Sequence, residues 1–341
     1  MILAAPPPRP ICRGLATIAA VLQIFAITLP FFALVAAGYL AARRRVLPLE
    51  AIPGLNVFVL YFALPCMLYR FGARTPIAQL LDGSVALVWG LGALLVVMAT
   101  VMLTRRGRIG WNDAAFGALV AAFPNTGFMG VPLLAALLGS HAAGPAIISI
   151  MFDMVVTSSL CIALSRLDTA GEAGARHALA KAFRGVVINP LPWSILLGAL
   201  ASALQFRLPA PVDATVSMLA DAAAPAALFT IGAVLARSAL LARGSGGTGT
   251  PAGDVPLVVL AKLLVHPLLV YAMGRAAMAL GLPLDPRALT VIVLVAALPS
   301  ASNVSMLAER FGADNGRIAR IILWTTVAAF FTFPLAVRWT A

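Results

Sequence analysis

Ten apolar runs, each about as long as a membrane-crossing helix, account for most of this sequence. Charged and turn residues separate the runs, which cover roughly residues 17–42, 51–70, 83–104, 113–138, 144–165, 185–206, 213–237, 255–280, 288–311 and 317–339. About 20 apolar residues suffice for one helical crossing of a bilayer, and lipid requires backbone hydrogen bonds to be made internally. Because 62% of the residues are apolar and only 11% are charged, we predict an all-α integral membrane protein with ten transmembrane helices.

The two halves of the sequence share proline and glycine residues at a fixed spacing. An offset of 160 residues pairs Pro30 with Pro190, Gly38 with Gly198, Pro65 with Pro225, and Gly72 with Gly232. The offset becomes 175 for residues 120–124 and 295–299, and the additional residues coincide with a Gly-rich stretch, 243–254, that reads as a flexible linker. Each half holds five runs, and because five is odd, the second half must enter the membrane from the opposite face. We therefore predict two inverted five-helix repeats.

The domain boundaries follow from these runs. Residues 1–16 are predicted to be a disordered tail, residues 17–165 the first repeat, residues 166–184 a loop, and residues 185–341 the second repeat.

Loops after the odd-numbered runs hold 15 Arg and Lys residues, against 8 on the opposite side. Since cytoplasmic loops carry the excess of basic residues, we predict a cell (inner) membrane protein with both termini outside the cytoplasm and the loop 166–184 inside. The net charge of +12 then reflects topology, and no nucleic-acid partner is predicted.

Runs 4 and 9 both contain residues that interrupt a regular helix. Run 4 holds Pro124, Gly127, Gly130 and Pro132, and run 9 holds Pro299 at the equivalent place. Proline removes a helical hydrogen bond and glycine weakens a helix. Because both halves are interrupted at matched positions, we predict two broken helices that cross at a binding site near the membrane midplane. A pair of simple proline kinks is the alternative.

A broken helix presents the N-terminus of its second half to the site. The free N–H groups and the positive end of the helix dipole attract a carboxylate or a phosphate. Asn125 and Asn303 add amide groups, which donate to an oxyanion or coordinate a cation through oxygen. The interrupted runs therefore predict a site for an anion, with a cation as a second ligand in the case of ion coupling.

The motif Asn125-x-Gly127-x-x-Gly130-x-Pro132 resembles the run-4 signature of the auxin efflux carrier family, which includes plant PIN-type carriers and bacterial malonate-type carriers. Other positions match that family in order and spacing: Pro225, Gly232, Lys262, Pro267, Pro299, Ala301, Ala308 and Asp314. The resemblance extends over the whole chain from about residue 17.

This resemblance implies a fold like that of the bile-acid/sodium symporters, in which helices 4 and 9 are broken and cross at the substrate site. It implies a scaffold of helices 1, 2, 6 and 7, against which helices 3–5 and 8–10 move as an elevator, often within a homodimer. It further implies secondary transport of a small organic anion, either a malonate-like carboxylate or an auxin-like weak acid. The predicted substrate-binding residues are Pro124, Asn125, Thr126, Gly127, Gly130, Pro299, Ser300, Ser302, Asn303 and Lys262.

Lys262 and Asp153 lie deep inside apolar runs, where charge is costly and usually functional. Lys262 in run 8 is predicted to snorkel to the surface, to attract the anion at the crossing, or to pair with Asp153. Asp153 in run 5 is predicted to pair with Lys262 or to carry a coupling proton. Asp314, at the end of run 9, is expected to face water, and His266 is expected to be a hydrogen-bonded helix residue.

No enzyme motif accompanies these features. The sequence lacks H-E-x-x-H, G-x-S-x-G and a Walker A lysine, and its three cysteines lie far apart, so neither catalysis nor a cofactor or metal site is predicted. The driving force is left open between H⁺ coupling, Na⁺ coupling and uniport. A channel or membrane receptor of the same fold is the alternative to a transporter.

Overall fold

A computed structural model describes residues 10–76, 80–106, 109–167, 187, 190–244 and 252–340. Helices joined by short connections make up this part of the chain. The helical segments, numbered in chain order, are α1 Pro10–Arg43, α2 Ile52–Arg74, α3 Gly83–Arg106, α4 Trp111–Ala122, α5 Thr126–Leu138, α6 Ser140–Leu164, α7 Pro190–Ala203, α8 Ala210–Gly244, α9 Val255–Ala279, α10 Pro286–Ala296, α11 Asn303–Phe311 and α12 Asn315–Thr340. These residues contain one isolated β-bridge and no strand. The predicted all-α class is confirmed.

In the described part of the chain, seven stretches of helix are long and apolar enough to cross a membrane, and they lie in α1, α2, α3, α6, α8, α9 and α12. The helices α5, α7 and α10 are also apolar but shorter, with 10–17 residues each. A helix rises about 1.5 Å per residue, so these shorter helices cannot cross a hydrocarbon core of about 30 Å alone. The chain is thus a multi-pass membrane protein.

Two of the predicted runs are each divided into two helices. Residues 123–125 separate α4 from α5, and residues 297–302 separate α10 from α11. Pro124 and Pro299 lie in these gaps, where the backbone leaves the helical conformation; Phe123, for example, is extended at φ −96° and ψ 101°. A proline restricts the residue before it to such extended conformations. Phe123 therefore cannot continue the helix, and α4 ends at Ala122.

Four helices contain a wide, π-helical turn. The turns are Val59–Ala63, Thr126–Gly130, Asp153–Thr157 and Ala261–Val265. Three of them end two residues before a proline, namely Pro65, Pro132 and Pro267. A proline ring inside a helix crowds the carbonyl four residues earlier, and a wider turn at that place relieves the crowding.

The helices pack as two groups. The helices α1, α2, α7 and α8 pack mainly on one another and form the four-helix group, and the other helices form the broken-helix group. The backbone of α1 touches that of α8 at Gly38 and Gly232, and α2 touches α7 at Gly72 and Gly198. A Cβ atom at Gly38, Gly198 or Gly232 would collide with the backbone of the facing helix, and one at Gly72 would lie only 3.0 Å from the carbonyl oxygen of Ile195, so the close approach depends on glycine.

The first break lies where the two groups meet. The π-helical turn Thr126–Gly130 packs against α8, the rest of α5 against α1, and α12 against both α1 and α8. The crossing region is therefore bounded by the broken-helix group on one side and by the four-helix group on the other.

Several predicted segments meet the described residues only at their edges. The loop 166–184 is described only at Arg166 and Leu167, and the linker 243–254 only at its two ends. The described part of α1 runs from Pro10 to Arg43, so residues 10–16 of the predicted disordered tail are helical.

The structure corrects the expectation that Asp314 faces water. Instead of simply facing water, it caps α12, because its Oδ1 accepts a hydrogen bond of 2.9 Å from the N–H of Arg317. An aspartate one residue before a helix commonly fills this role.

Candidate substrate site

The two breaks meet and hydrogen-bond to each other. The N–H of Asn125 donates to the carbonyl of Pro299 over 2.8 Å, and the N–H of Ala301 donates to the carbonyl of Phe123 over 2.9 Å. These bonds form the antiparallel β-bridge of the structure. Each break thereby satisfies backbone groups that the other would leave unpaired inside the membrane. We call residues 123–130 and 297–303 together the crossover.

Asn125 begins the second half of the first broken helix. Its carbonyl accepts hydrogen bonds from the N–H groups of Met129 at 3.1 Å and Gly130 at 3.0 Å, which are the first bonds of the π-helical turn. Its side chain is buried, and the Oδ1 atom has no hydrogen-bond partner. An amide can turn about its last bond, so it offers either an acceptor or two donors at this place.

The second break holds two more buried oxygens without a partner, Oγ of Ser300 and Oδ1 of Asn303. The backbone of Ser300 is held from behind, because its N–H donates to Oγ1 of Thr325 on α12 over 3.2 Å. Buried polar atoms are normally paired, and an unpaired one costs about 1–3 kcal/mol. A polar ligand bound at the crossover would provide hydrogen-bond partners for the oxygens of Asn125, Ser300 and Asn303.

The crossover also contains the other predicted substrate residues apart from Lys262. Thr126 is buried, and its hydroxyl lies 3.4 Å from the carbonyl of Pro124. The carbonyl of Ser302 accepts from the N–H and the hydroxyl of Ser305, at 3.2 Å and 2.8 Å, and so starts α11. The Thr126 hydroxyl and the Ser302 carbonyl thus make contacts within the crossover and its adjoining helix.

The two glycines of the first break have different surroundings. A Cβ atom at Gly127 would meet no atom within 4 Å, whereas one at Gly130 would lie 2.5 Å from Cδ1 of Leu298. Gly130 therefore permits the two breaks to pack closely. Gly127 borders open space, which is the candidate volume for a small ligand.

Lys262 lies next to the crossover and contacts the end of α10. Its side chain is fully buried, so it does not snorkel to the membrane surface. Its Nζ donates to the carbonyl of Ala296, the last residue of α10, over 2.7 Å, and lies 3.3 Å from Nδ1 of His266. A cation at the C-terminus of a helix is stabilised by the helix dipole, and this one supports the half-helix that leads into the second break.

Asp153 lies beside Lys262 in the same buried region. Its Oδ1 accepts from the indole N–H of Trp89 over 3.1 Å and from the hydroxyl of Thr157 over 2.9 Å, while Oδ2 has no partner. The rings of Trp89 and His266 are 5.3 Å apart, and Nε2 of His266 also lacks a partner. Among the described residues no direct ion pair joins Asp153 to Lys262; Trp89 and His266 connect them instead. We call Trp89, Asp153, Thr157, Lys262 and His266 the buried polar cluster.

Sequence reasoning did not single out Trp89, Thr157 or Thr325. Thr157 follows Asp153 by four residues, a helical spacing that brings side chains together, so it was open to prediction. Trp89 and Thr325 come from other helices, and a polar group in an apolar run was their only signal.

Comparison with known proteins identifies the family of the chain. Residues 21–337 match the family model described as membrane transport protein. A protein of Rhizobium meliloti (strain 1021) named "Putative malonate transporter" is 32% identical over 316 residues, which cover 91% of this chain and 93% of that one. Auxin efflux carrier component 8 of Arabidopsis thaliana is 23% identical, covering 92% and 98%. The transporter YfdV of Escherichia coli (strain K12) is 24% identical, covering 83% and 87%. The chain therefore belongs to the membrane transport protein family, the auxin efflux carrier family that the residues of its first break indicated.

Proposed function

We propose that this protein is a secondary transporter of a small organic anion, a malonate-like carboxylate or an auxin-like weak acid, which binds at the crossover. The observation that carries the proposal is the meeting of two half-helix N-termini, those of α5 and α11, beside three unpartnered oxygens and the open space at Gly127. The name of the Rhizobium relative favours a dicarboxylate.

The balance of charge at the crossover favours an anion. Two helix N-termini and two helix C-termini meet there, and their partial charges would otherwise offset each other. Lys262 donates to the C-terminus of α10, which compensates one of the negative ends. The N-termini of α5 and α11 then dominate, and they stabilise a carboxylate.

The proposed architecture has ten membrane crossings in two inverted repeats. The protein lies in the inner membrane, and both termini are outside the cytoplasm. Two paired features support it. The offset of 160 residues maps the α1–α8 glycine contact onto the α7–α2 contact. An offset of 176 maps the hydrogen bond from Asn125 to Pro299 onto the one from Ala301 to Phe123.

Transport proceeds in this proposal by movement of the broken-helix group, with the crossover, against the four-helix group. The packing of α8 and α1 against the first break supports this division, because substrate bound there would contact both groups. Two protomers form a homodimer in the proposal, in keeping with the family resemblance.

Asp153 is the proposed ion-coupling residue. It carries a proton across while its partners in the buried polar cluster hold it in place. A Na⁺ site made from the oxygens of Asn125 and Asn303 is the second coupling route, and uniport driven by the membrane potential is the third.

Uptake by protein reconstituted in liposomes tests the proposal. Radiolabelled malonate is the probe, and mono- and dicarboxylates and indole-3-acetate compete with it, under a pH gradient, a Na⁺ gradient or neither. We expect saturable uptake that dicarboxylates inhibit best and that a pH gradient accelerates. Asp153→Asn should keep saturable uptake and lose the acceleration, and Asp213→Asn, an exposed acid of α8, is the control.

Other outcomes would replace the proposal. Non-saturable flux would indicate a channel, and saturable binding without flux would indicate a receptor. Neither uptake nor competition by any acid, in folded protein, would exclude an organic anion as substrate.

A further inference from the structure

A second set of contacts joins the same half-helices at their other ends. The helix α4 runs toward the crossover and α11 runs away from it, so the start of α4 and the end of α11 lie together. Nδ2 of Asn112 donates to the carbonyl of Phe311 over 3.1 Å, and the N–H of Asp314 donates to Oδ1 of Asp113 over 2.7 Å. The pair α4 and α11 is therefore fastened at both ends.

Arg317, at the start of α12, is the centre of these contacts. Its side chain is only 1% exposed, and its guanidinium donates to both carboxylate oxygens of Asp254 and to the carbonyl of Asp113, the last over 2.8 Å. Gly117 on α4 leaves room for it, since a Cβ atom there would lie 2.6 Å from Nη2 of Arg317. A buried arginine is tolerated when a carboxylate and further acceptors match its planar donors.

The same contacts extend to both places where the chain passes between the helix groups at this end. Asp254 lies directly before α9 and follows α8 of the four-helix group in sequence. Arg166 lies directly after α6; its Nη2 donates to the carbonyl of Phe311 over 2.9 Å, and its guanidinium lies 5.4 Å from the centre of the Phe311 ring. We call Asn112, Asp113, Arg166, Asp254, Phe311, Asp314 and Arg317 the Arg317 network.

The opposite end of the broken-helix group is built differently. Offsets of 175 and 176 residues relate Arg317 to Ala142, which is buried, and to His141, which is exposed. Neither takes part in an ion pair of the described residues, and near that end the hydroxyl of Ser84 donates to the carbonyl of Pro283 over 3.2 Å. The buried ion pair is therefore a feature of one end of the group and not a product of the repeat.

We propose that Arg317 is a positioning residue for transport, which holds α4 and α11 side by side so that the crossover at their far ends keeps its register. The helix α4 has 12 residues, about 18 Å at 1.5 Å per residue, so Arg317 acts on the site through two helices and not by contact with substrate. The inference rests on the proposed function in one respect, that the crossover is where substrate binds.

Hydrogen exchange of the crossover amides tests the inference without a substrate. The N–H groups of Asn125 and Ala301 are hydrogen-bonded across the crossover, so their exchange reports its opening. In Arg317→Lys we expect the peptides covering residues 123–130 and 299–303 to exchange about tenfold faster than in the unmodified protein, because lysine keeps the charge but cannot match three acceptors at once.

Arg70→Lys is the matched control. Arg70 pairs with Asp221 over 2.7 Å in the four-helix group, and the Asp221 side chain is 70% exposed. Exposed pairs contribute little, so crossover exchange should not change. Faster exchange in Arg317→Lys that is confined to residues 111–117 and 311–318, with an unchanged crossover, would overturn the inference.

Malonate uptake separates positioning from folding. We expect Arg317→Lys to raise the apparent KM about tenfold and to change Vmax per folded transporter by less. An unchanged KM, with uptake reduced only in proportion to the amount of folded protein, would mean that Arg317 serves folding only, which would overturn the inference. Were the unmodified protein inactive on malonate and on every competing acid, the proposed function would fail, and the hydrogen exchange would still decide the role of Arg317.

Asp254→Asn is the second variant, for use if Arg317→Lys does not fold. Its amide oxygen still accepts from the guanidinium while the ionic attraction is lost. We expect the same pattern at roughly threefold instead of tenfold. Crossover exchange and KM equal to those of the unmodified protein would overturn the inference.

Discussion

The crossover and the Arg317 network join the same two half-helices, but they do so by opposite means. At the crossover, backbone hydrogen bonds hold the chain, and the oxygens of Asn125, Ser300 and Asn303 are left without partners. At the network, a buried cation is paired with Asp254. The difference teaches that binding and fastening are separated along α4 and α11, so the groups reserved for a ligand need not also hold the helices together.

The largest expected effect comes from removing one member of the buried ion pair. Arg317→Met leaves the Asp254 carboxylate uncompensated, and we expect a loss of about 3–5 kcal/mol in the free energy of unfolding. Denaturant unfolding in detergent micelles measures this change. The double variant with Asp254→Leu should recover most of the loss, because it no longer buries an unpaired charge.

The exposed pair of Arg70 and Asp221 provides the reference for that experiment. Arg70→Met should cost no more than about 1 kcal/mol. A double variant no more stable than Arg317→Met would show that the ion pair is not the source of the stability at this end.

Asn125→Ala should have the largest effect on transport. It removes hydrogen bonds to a charged substrate, worth about 1.5–3 kcal/mol, so we expect uptake of malonate to fall about 100-fold while the protein still folds. Liposome uptake measures this, with Asn56→Ala in α2 of the four-helix group as control. Normal uptake by Asn125→Ala would move the substrate site away from the crossover.

Lys262→Met tests whether charge behind the crossover contributes to binding. The N–H···O=C bond to Ala296 and the compensation of the α10 terminus are both lost, and we expect the apparent KM for malonate to rise about tenfold. Kinetics of uptake over a range of malonate concentrations measure it. An unchanged KM would make Lys262 a structural residue of the buried polar cluster alone.

The smallest effect is expected at Gly127. An alanine methyl meets open space there, so Gly127→Ala should leave the unfolding free energy unchanged and reduce malonate affinity roughly threefold by occupying volume. Gly130→Ala is its counterpart, since its methyl would crowd Leu298, and it should lower stability. Equal stability and equal affinity for Gly127→Ala would place the ligand volume elsewhere.

The all-α class and the apolar helices could be predicted from the sequence because both depend on local properties. Apolar length decides which segments cross lipid, and Pro124 and Pro299 interrupt a helix wherever they stand. The candidate site residues other than Lys262 lie at the crossover because each is within a few residues of Pro124 or Pro299, and the two segments hydrogen-bond to each other.

The Arg317 network was not predicted, because its partners are distant in sequence. Arg317 counted as one of many loop arginines, Asp254 as the end of a flexible linker, and Asp314 as a residue facing water. Only packing shows that these groups meet where α4, α9, α11 and α12 converge. The π-helical turns before Pro65, Pro132 and Pro267 were not predicted either. Whether a helix answers a proline with a wider turn or with a kink depends on how the neighbouring helices pack against it.

The hydrogen bond from Asn125 to Pro299 has a consequence for biosynthesis. The two residues are separated by 174 positions, and a ribosome adds about 5–20 residues per second. The first broken helix therefore spends roughly 9–35 s in the membrane before its partner has been made. During that time its open backbone groups lie in or near lipid, so the insertion machinery, and not the finished fold, has to shelter them.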